Sequence, residues 1–157
     1  MDNSSNSTAI LMIVQDIVEN DLDEALDLNN SVFGFSQRYS NRDLWLEKMQ
    51  KNGRIYTIKG KGFLAIYHRN NLDGSISEHI WLCGVVPSAR SLGFLSILLK
   101  YAAEQMTLPS VTITTGPEYP VMQAWVERMH FIVVEQLSKN RFLYRASAED
   151  LRAHLMS

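Results

Sequence analysis

The residues whose types and spacing could do chemistry concentrate between Glu78 and Ser96. A nearly continuous apolar run from His79 to Val86 stops at Pro87, a turn containing Gly93 follows, and Leu95, Leu98, Leu99, Ala102 and Met106 then recur at helical spacing. A strand that breaks at proline and re-enters as a helix leaves the first backbone N–H groups of that helix unpaired, and the dipole adds about half a positive charge there. Such an end holds anions, phosphate in particular. Gly93 suits the close approach of a phosphate oxygen, because a side chain at that point would stand in the way. The same strand-turn-helix is also ordinary α/β architecture, so these residues alone leave the ligand open.

Composition narrows the field. The chain has 157 residues, 46% hydrophobic and 20% charged, which suits one globular domain with its own core. A net charge of −2, with no basic stripe interleaved by aromatics, excludes the electrostatic footprint of a nucleic-acid binder. The single cysteine, Cys83, lies in an apolar run and reads as a small buried hydrophobe of a reducing compartment rather than a nucleophile. No His, Cys, Asp or Glu group has metal-ligand spacing. The start MDNSSNST lacks the positive residues of a signal peptide, and Ala9 to Val14 is too short to span a bilayer; the expected location is the cytoplasm. Residues 1–8 read as a disordered polar arm and 9–157 as the domain.

The elements that must position the site follow from periodicity. Ile10 to Val18 reads as a strand, and a helix capped by Asp21 with Glu24 fades near Asn29-Asn30. Ser40 and Asp43 cap a second helix ending at Asn52-Gly53. Arg54–Lys59 and Phe63–Arg69 form a hairpin, Asn70 to Gly74 a turn, and His79–Val86 a central strand buried on both faces. After the helix begun near Leu95, Val111–Thr115 is a strand, and Met122, Trp125, Val126 and Met129 mark another helix. Phe131–Leu137 and Arg141–Tyr144 are the last strands and Ala148–Met156 a terminal helix. Trp45, Trp81 and Trp125 fall on apolar faces as core.

The string VVPSARSLGFLSILL, Val85 to Leu99, resembles motif A of the GNAT N-acetyltransferase superfamily, V-x-P-x-x-R/Q-x-x-G-x-G/A. Val85, Pro87, Arg90 and Gly93 match in register, and Leu95 replaces the second small residue. The order of elements from Ile10 to Tyr144 is similar to the family's as well. AWVERMHF, Ala124 to Phe131, resembles its second conserved stretch through Glu127, Arg128 and Phe131, with Val126 where tyrosine is common, His130 where glycine is usual, and Tyr119 where asparagine is frequent.

The resemblance implies an α/β fold with a mixed central sheet flanked by helices, and acetyl-CoA as cofactor. Val85, Val86, Arg90, Ser91, Leu92, Gly93, Phe94, Leu95 and Ser96 would hold the coenzyme A, with Arg90 at the phosphates. It implies direct attack on the thioester by a primary amine of a small molecule or protein, with N–H groups near Val85 on the carbonyl oxygen. His79 or Glu78 stands where relatives place a base acting through water, and Tyr119 or His130 is left as the acid for the departing thiolate. A strand-end His-Glu pair is more often a solvated polar edge, and a loop tyrosine such as Tyr119 more often packs near a helix start. Thr114 and Thr115 end a strand beside the cleft, and the loops Phe33–Tyr39 and Asn70–Ser77 would set the acceptor. The family's last two strands often pair between subunits, which suggests a homodimer. Two other readings compete. One is an acyl-CoA-binding sensor or scaffold without turnover, motivated by Leu95, Val126 and His130; the other is a different α/β nucleotide binder, although no GxxxxGK[ST] or GxGxxG string occurs.

Overall fold

The computed structural model describes residues 13–34 and 39–156. The polar arm expected over residues 1–8, the start of the strand expected at Ile10, and most of the Phe33–Tyr39 loop lie outside them. Residues 13–15 form a helical turn, and the first strand, β1, is Ile17–Glu19.

Helix α1, Leu22–Phe33, starts as expected, with the Asp21 carboxylate accepting from the Glu24 N–H at 3.1 Å. It runs past Asn29-Asn30 because those side chains serve tertiary contacts instead of stopping the helix. Asn29 is fully buried and donates to the Tyr39 carbonyl at 3.2 Å, and Asn30 accepts from the Ser40 hydroxyl at 2.5 Å. Helix α2, Arg42–Met49, is capped by Asn41, which accepts from the Asp43 N–H at 2.9 Å, so the cap falls one residue after Ser40.

The hairpin joins β2, Arg54–Ile58, to β3, Gly62–Asn70, and β4 spans Ile76–Val85. Strand β4 begins before His79 because Ser77 and Glu78 are buried polar residues with partners in the sheet interior, which apolar patterning cannot reveal. A 3₁₀ turn over Pro87–Ala89 leads to helix α3, Phe94–Gln105. Then come β5, Ser110–Thr115, helix α4, Pro120–Arg128, β6, Ile132–Ser138, β7, Arg141–Ser147, and helix α5, Ala148–Met156.

The seven strands form one sheet in the order β1-β2-β3-β4-β5-β7-β6, and only β4 and β5 run parallel. On one face Tyr56, Leu64, Ile66, Ile80 and Ile113 pack against Leu98, Leu99 and Ala102 of α3 and Leu151 of α5. On the other, Ile55, Phe63 and Ala65 pack against Ala25 and Leu28 of α1 and Trp45 of α2. Side chains as deeply buried as Leu64, Ile66 and Leu98 contribute roughly 1.5–3 kcal/mol each. No helix among the described residues is long and apolar enough to cross a membrane.

Two irregularities in β4 shape the site. Ala65 pairs with Leu82 but Ile66 with Ile80, so Trp81 is an extra residue, a bulge that bends the strand. Beyond that point β4 also loses its parallel neighbour. The β4–β5 pairs are Glu78↔Val111, His79↔Thr112 and Ile80↔Ile113, after which β4 continues to Val85 alone while β5 stays with β7 through Thr115↔Phe142. The sheet therefore splits into a cleft whose β4 edge, from Trp81 onward, has no strand to pair with.

Candidate active site

At the end of the lone β4 edge lies the turn into α3. Gly93 caps the helix with φ +83° and no side-chain bond, and the first helical hydrogen bond runs from the Ile97 N–H to the Gly93 carbonyl at 3.1 Å. The N–H groups of Phe94, Leu95 and Ser96 are therefore left without intrahelical acceptors. A Cβ at Gly93 would meet nothing within 4 Å, so open space surrounds this backbone. Glycine is demanded there by the left-handed φ, and the open space leaves room for a ligand. Ser91 shares the left-handed conformation at φ +69° without glycine's freedom, and Ser91, Leu92 and Gly93 are all exposed.

Arg90 is tied back to the strand end, its Nε donating to the Val85 carbonyl at 3.1 Å. The Val86 N–H donates to the Lys61 carbonyl at 2.8 Å, fixing the turn to the β2–β3 hairpin. Lys59, Lys61, Asp16 and Phe94 are among the residues lining a cavity of about 300 Å³ beside this end, two cations and one carboxylate that sequence reading did not associate with the motif.

Within the parallel stretch, Glu78 and His79 project to opposite faces. The Glu78 carboxylate is fully buried and saturated: it is ion-paired with Arg54 and accepts from His68 Nε2 at 3.2 Å, the Thr107 N–H at 3.0 Å and the Leu108 N–H at 3.3 Å. It thereby ties β4 to β2, β3 and the segment that follows α3. His79 is 4% exposed, and its Nδ1 lies 2.8 Å from Thr112 Oγ1, itself 2.7 Å from Ser77 Oγ. Burial, reinforced by the charges of Arg69, Lys48 and Arg141, pushes the imidazole down to about 3, so the ring is neutral at physiological pH.

Tyr119 is not brought into contact with that network. It is 52% exposed at the N-cap of α4, past the end of β5. Strand alternation directs Thr112 and Thr114 to the His79 face and Thr115 to the face of Ile113 and α3. Thr115 Oγ1 is buried with no hydrogen-bond partner, an orphan hydroxyl at the mouth of the cleft. Val126, in the position where a tyrosine is common, is fully buried in the core. His130 adopts φ +61°, the left-handed conformation that explains why glycine suits its place. Cys83 is partly buried and unpaired, and burial pushes its thiol up to about 12, which disfavours the reactive thiolate.

Sequence reading missed the group on the His79 face. Lys48 Nζ lies 4.7 Å from the Tyr67 ring centroid and 5.9 Å from that of Trp81, and Tyr67 in turn meets His79 edge-on at 5.3 Å. These residues come from α2, β3 and β4, so no local pattern could have joined them. No group of three or more metal-ligating side chains occurs among the described residues.

The mixed seven-stranded sheet flanked by helices is a fold that solved structures share. An acetyltransferase of the GNAT family from Bacillus cereus superposes with a TM-score of 0.60 at 20% identity, over 83% of this chain and 95% of that one. Spermidine N-acetyltransferase from Vibrio cholerae, in complex with CoA and spermine, matches with a TM-score of 0.61 at 14% identity, over 87% and 98%. A chain of the NatC complex bound to Gag peptide and CoA matches with a TM-score of 0.63 at 15% identity, over 84% and 98%. No family model matches the sequence, and no curated protein matches it. The chain has the GNAT N-acetyltransferase fold.

Proposed function

We propose that this protein is an acyl-CoA-dependent N-acyltransferase, moving an acetyl group to a primary amine by direct attack. The observation that carries the reading is the coincidence of two vacancies: the β4 edge left unpaired beyond Ile80, and the uncapped N–H groups of Phe94, Leu95 and Ser96 at its end. An extended arm bearing amides fits the first and a diphosphate the second. The residues present suit coenzyme A. Gly93 leaves the approach clear, Arg90 stands beside the helix start, and the orphan Thr115 hydroxyl offers a bond on the α3 side of the cleft.

Acetyl-CoA, when bound, supplies the activated thioester carbonyl. The chain's part is to hold it and manage protons. Val85 and Val86 end the strand at which the thioester oxygen would find backbone donors, and Ser91 and Leu92 complete the turn around the diphosphate. An amine with a pKa near 10 arrives charged and loses its proton before attack. His79, neutral and linked to Thr112 and Ser77, serves as a positioning residue at the acceptor side, with proton removal through water. Glu78 supports it by fixing β4 in place. Tyr119, exposed at the cleft end of α4, is the group we assign to protonate the leaving thiolate. The exposed apolar residues of edge strand β6, Ile132, Val133 and Val134, favour pairing of two copies.

Buried Val126 and the substituted Leu95 favour one alternative, an acyl-CoA-binding sensor with the same fold. Thiol release from acetyl-CoA across a panel of amines, alongside a thermal-shift titration with CoA, tests both. Binding with release supports the transferase, binding without release on any amine supports the sensor, and no binding of CoA defeats both.

A further inference from the structure

A lysine stands over the point where the sheet splits. Lys48 of α2 places its Nζ 4.7 Å from the Tyr67 ring centroid and 5.9 Å from that of Trp81, and the two rings meet edge-on at 6.2 Å. Trp81 is the bulged residue of β4 and the first one past its last pair with β5, Ile80↔Ile113. It packs with Trp45 and Phe63 on the α1 and α2 side, so the Lys48 ammonium lies on that side of the β4 edge that no strand occupies.

Ring faces are what hold this amine. Among the described residues the Lys48 ammonium makes no ion pair and no hydrogen bond, and the nearby Glu47 is taken by Lys51 at 3.6 Å. Burial, with Lys51 and Arg69 adding to it and Glu47 opposing, holds Lys48 below the ordinary lysine range and raises its share of neutral, nucleophilic amine. The arm of coenzyme A between diphosphate and sulfur is about as long as four extended residues, roughly 13 Å, which matches the stretch from Val85 back to Trp81. Laid along the unpaired edge with its diphosphate at the start of α3, that arm brings a thioester beside Trp81, within reach of Lys48.

We infer that Lys48 is a site of self-acetylation, the protein's own lysine taking the acceptor's place over Trp81 when no amine occupies the cleft. The inference rests on the transferase reading above. The neutral Nζ attacks the thioester carbonyl carbon, an N–C bond forms as the C–S bond breaks, the Nζ proton passes to water, and coenzyme A leaves as a thiolate that takes up a proton. The amide product carries no charge and loses its attraction to the Tyr67 and Trp81 faces, so the acceptor side becomes less positive. The remaining lysines are placed differently. Lys51 is ion-paired, Lys59 and Lys61 line the cavity at the diphosphate end, Lys100 lies on α3, and Lys139 lies in the β6–β7 turn.

Peptide mass mapping of the purified protein, incubated with acetyl-CoA and no added amine, tests it. The expected result is acetylation of Lys48 at least about tenfold faster than of any other lysine, at a rate that does not change with protein concentration. Excess CoA should suppress that label, and Lys48→Arg should remove it without moving it to Lys51. A second measurement needs no turnover: acetic anhydride labels the lysines with and without CoA, and bound CoA should shield Lys48 several-fold while Lys100 reacts unchanged. Labelling by acetyl-CoA spread evenly over the lysines, a rate that rises with protein concentration, or a Lys48 that is neither acetylated nor shielded in CoA-binding protein overturns the inference. Thiol release on added amines then leaves the transferase reading intact. Failure of CoA to bind in a thermal-shift titration overturns the transferase reading, and the inference with it.

Discussion

Glu78→Gln separates an anchoring carboxylate from a catalytic one. The substitution keeps volume and one carbonyl oxygen, so the N–H groups of Thr107 and Leu108 can keep an acceptor. It also sets an amide N–H₂ against the Arg54 guanidinium and leaves that cation without its counter-ion. Removing one partner of a buried pair costs about 3–5 kcal/mol, and because the Arg54 side chain is 23% exposed and gains some hydration, the lower end, about 3 kcal/mol, applies. For a domain of this length each kcal/mol shifts Tm by roughly 2–4 °C, so a fall of about 6–12 °C is expected. Arg54→Met should fall by less, because the carboxylate it leaves keeps two backbone donors and His68, and the double variant should be less damaged than the sum of the two. Calorimetric melting at pH 7 provides the assay, with thiol release measured well below each Tm. A Glu78→Gln protein that melts within about 2 °C of the wild type yet loses turnover at least a hundredfold would refute the anchoring role and return Glu78 to the position of base.

Gly93→Ala places a Cβ in empty space but at φ +83°, so it should cost about 1 kcal/mol in stability and weaken CoA binding more than it lowers Tm, as a CoA titration would show. Tyr119→Phe should lower kcat roughly 10- to 100-fold while leaving the melting curve in place, since the ring is half-exposed at a helix cap. His79 is held neutral down to about 3, whereas an unfolded histidine protonates near 6.5; the unfolded state therefore binds the extra proton first. Stability should be flat above pH 6.5 and fall as pH drops from 6.5 towards 3, and His79→Gln should flatten that acid limb in urea melts taken across the range. Cys83, pushed up to about 12, should react with a disulfide reagent at pH 8 far more slowly than a free thiol and faster in urea, which a stopped-flow trace with and without urea reports.

Local signals carried most of the architecture. Asp21 with Glu24, Pro87 after an apolar run, and the helical spacing from Leu95 are short-range physics, and the corresponding elements lie where those residues put them. The departures share one cause, polar side chains recruited by distant partners. Asn29 and Asn30 read as a helix stop until Tyr39 and Ser40 bind them, and Ser77 and Glu78 read as a loop until Thr112 and Arg54 do. The turn proposed to hold the diphosphate was legible because strand, proline and glycine follow one another closely. The lysine and aromatic group on the His79 face was not, because Lys48, Tyr67 and His79 come from α2, β3 and β4 and meet only in the folded sheet. His130 falls between: its departure from glycine was visible, but its left-handed backbone belongs to the turn between α4 and β6.

The extra residue at Trp81 interrupts the alternation of β4. Ile80 and Cys83 look towards α3, while Trp81 and Leu82 together look towards α1 and α2. Deleting position 81 would set Leu82 opposite Ala65 directly after Ile80 opposite Ile66, in plain alternation, with every side chain from Leu82 to Val85 keeping the core it faces now. What the deletion removes is the bend, and a straight strand would continue alongside β5 where the bulged one parts from it. The bulge thus spends one residue on direction and none on which side the later ones face.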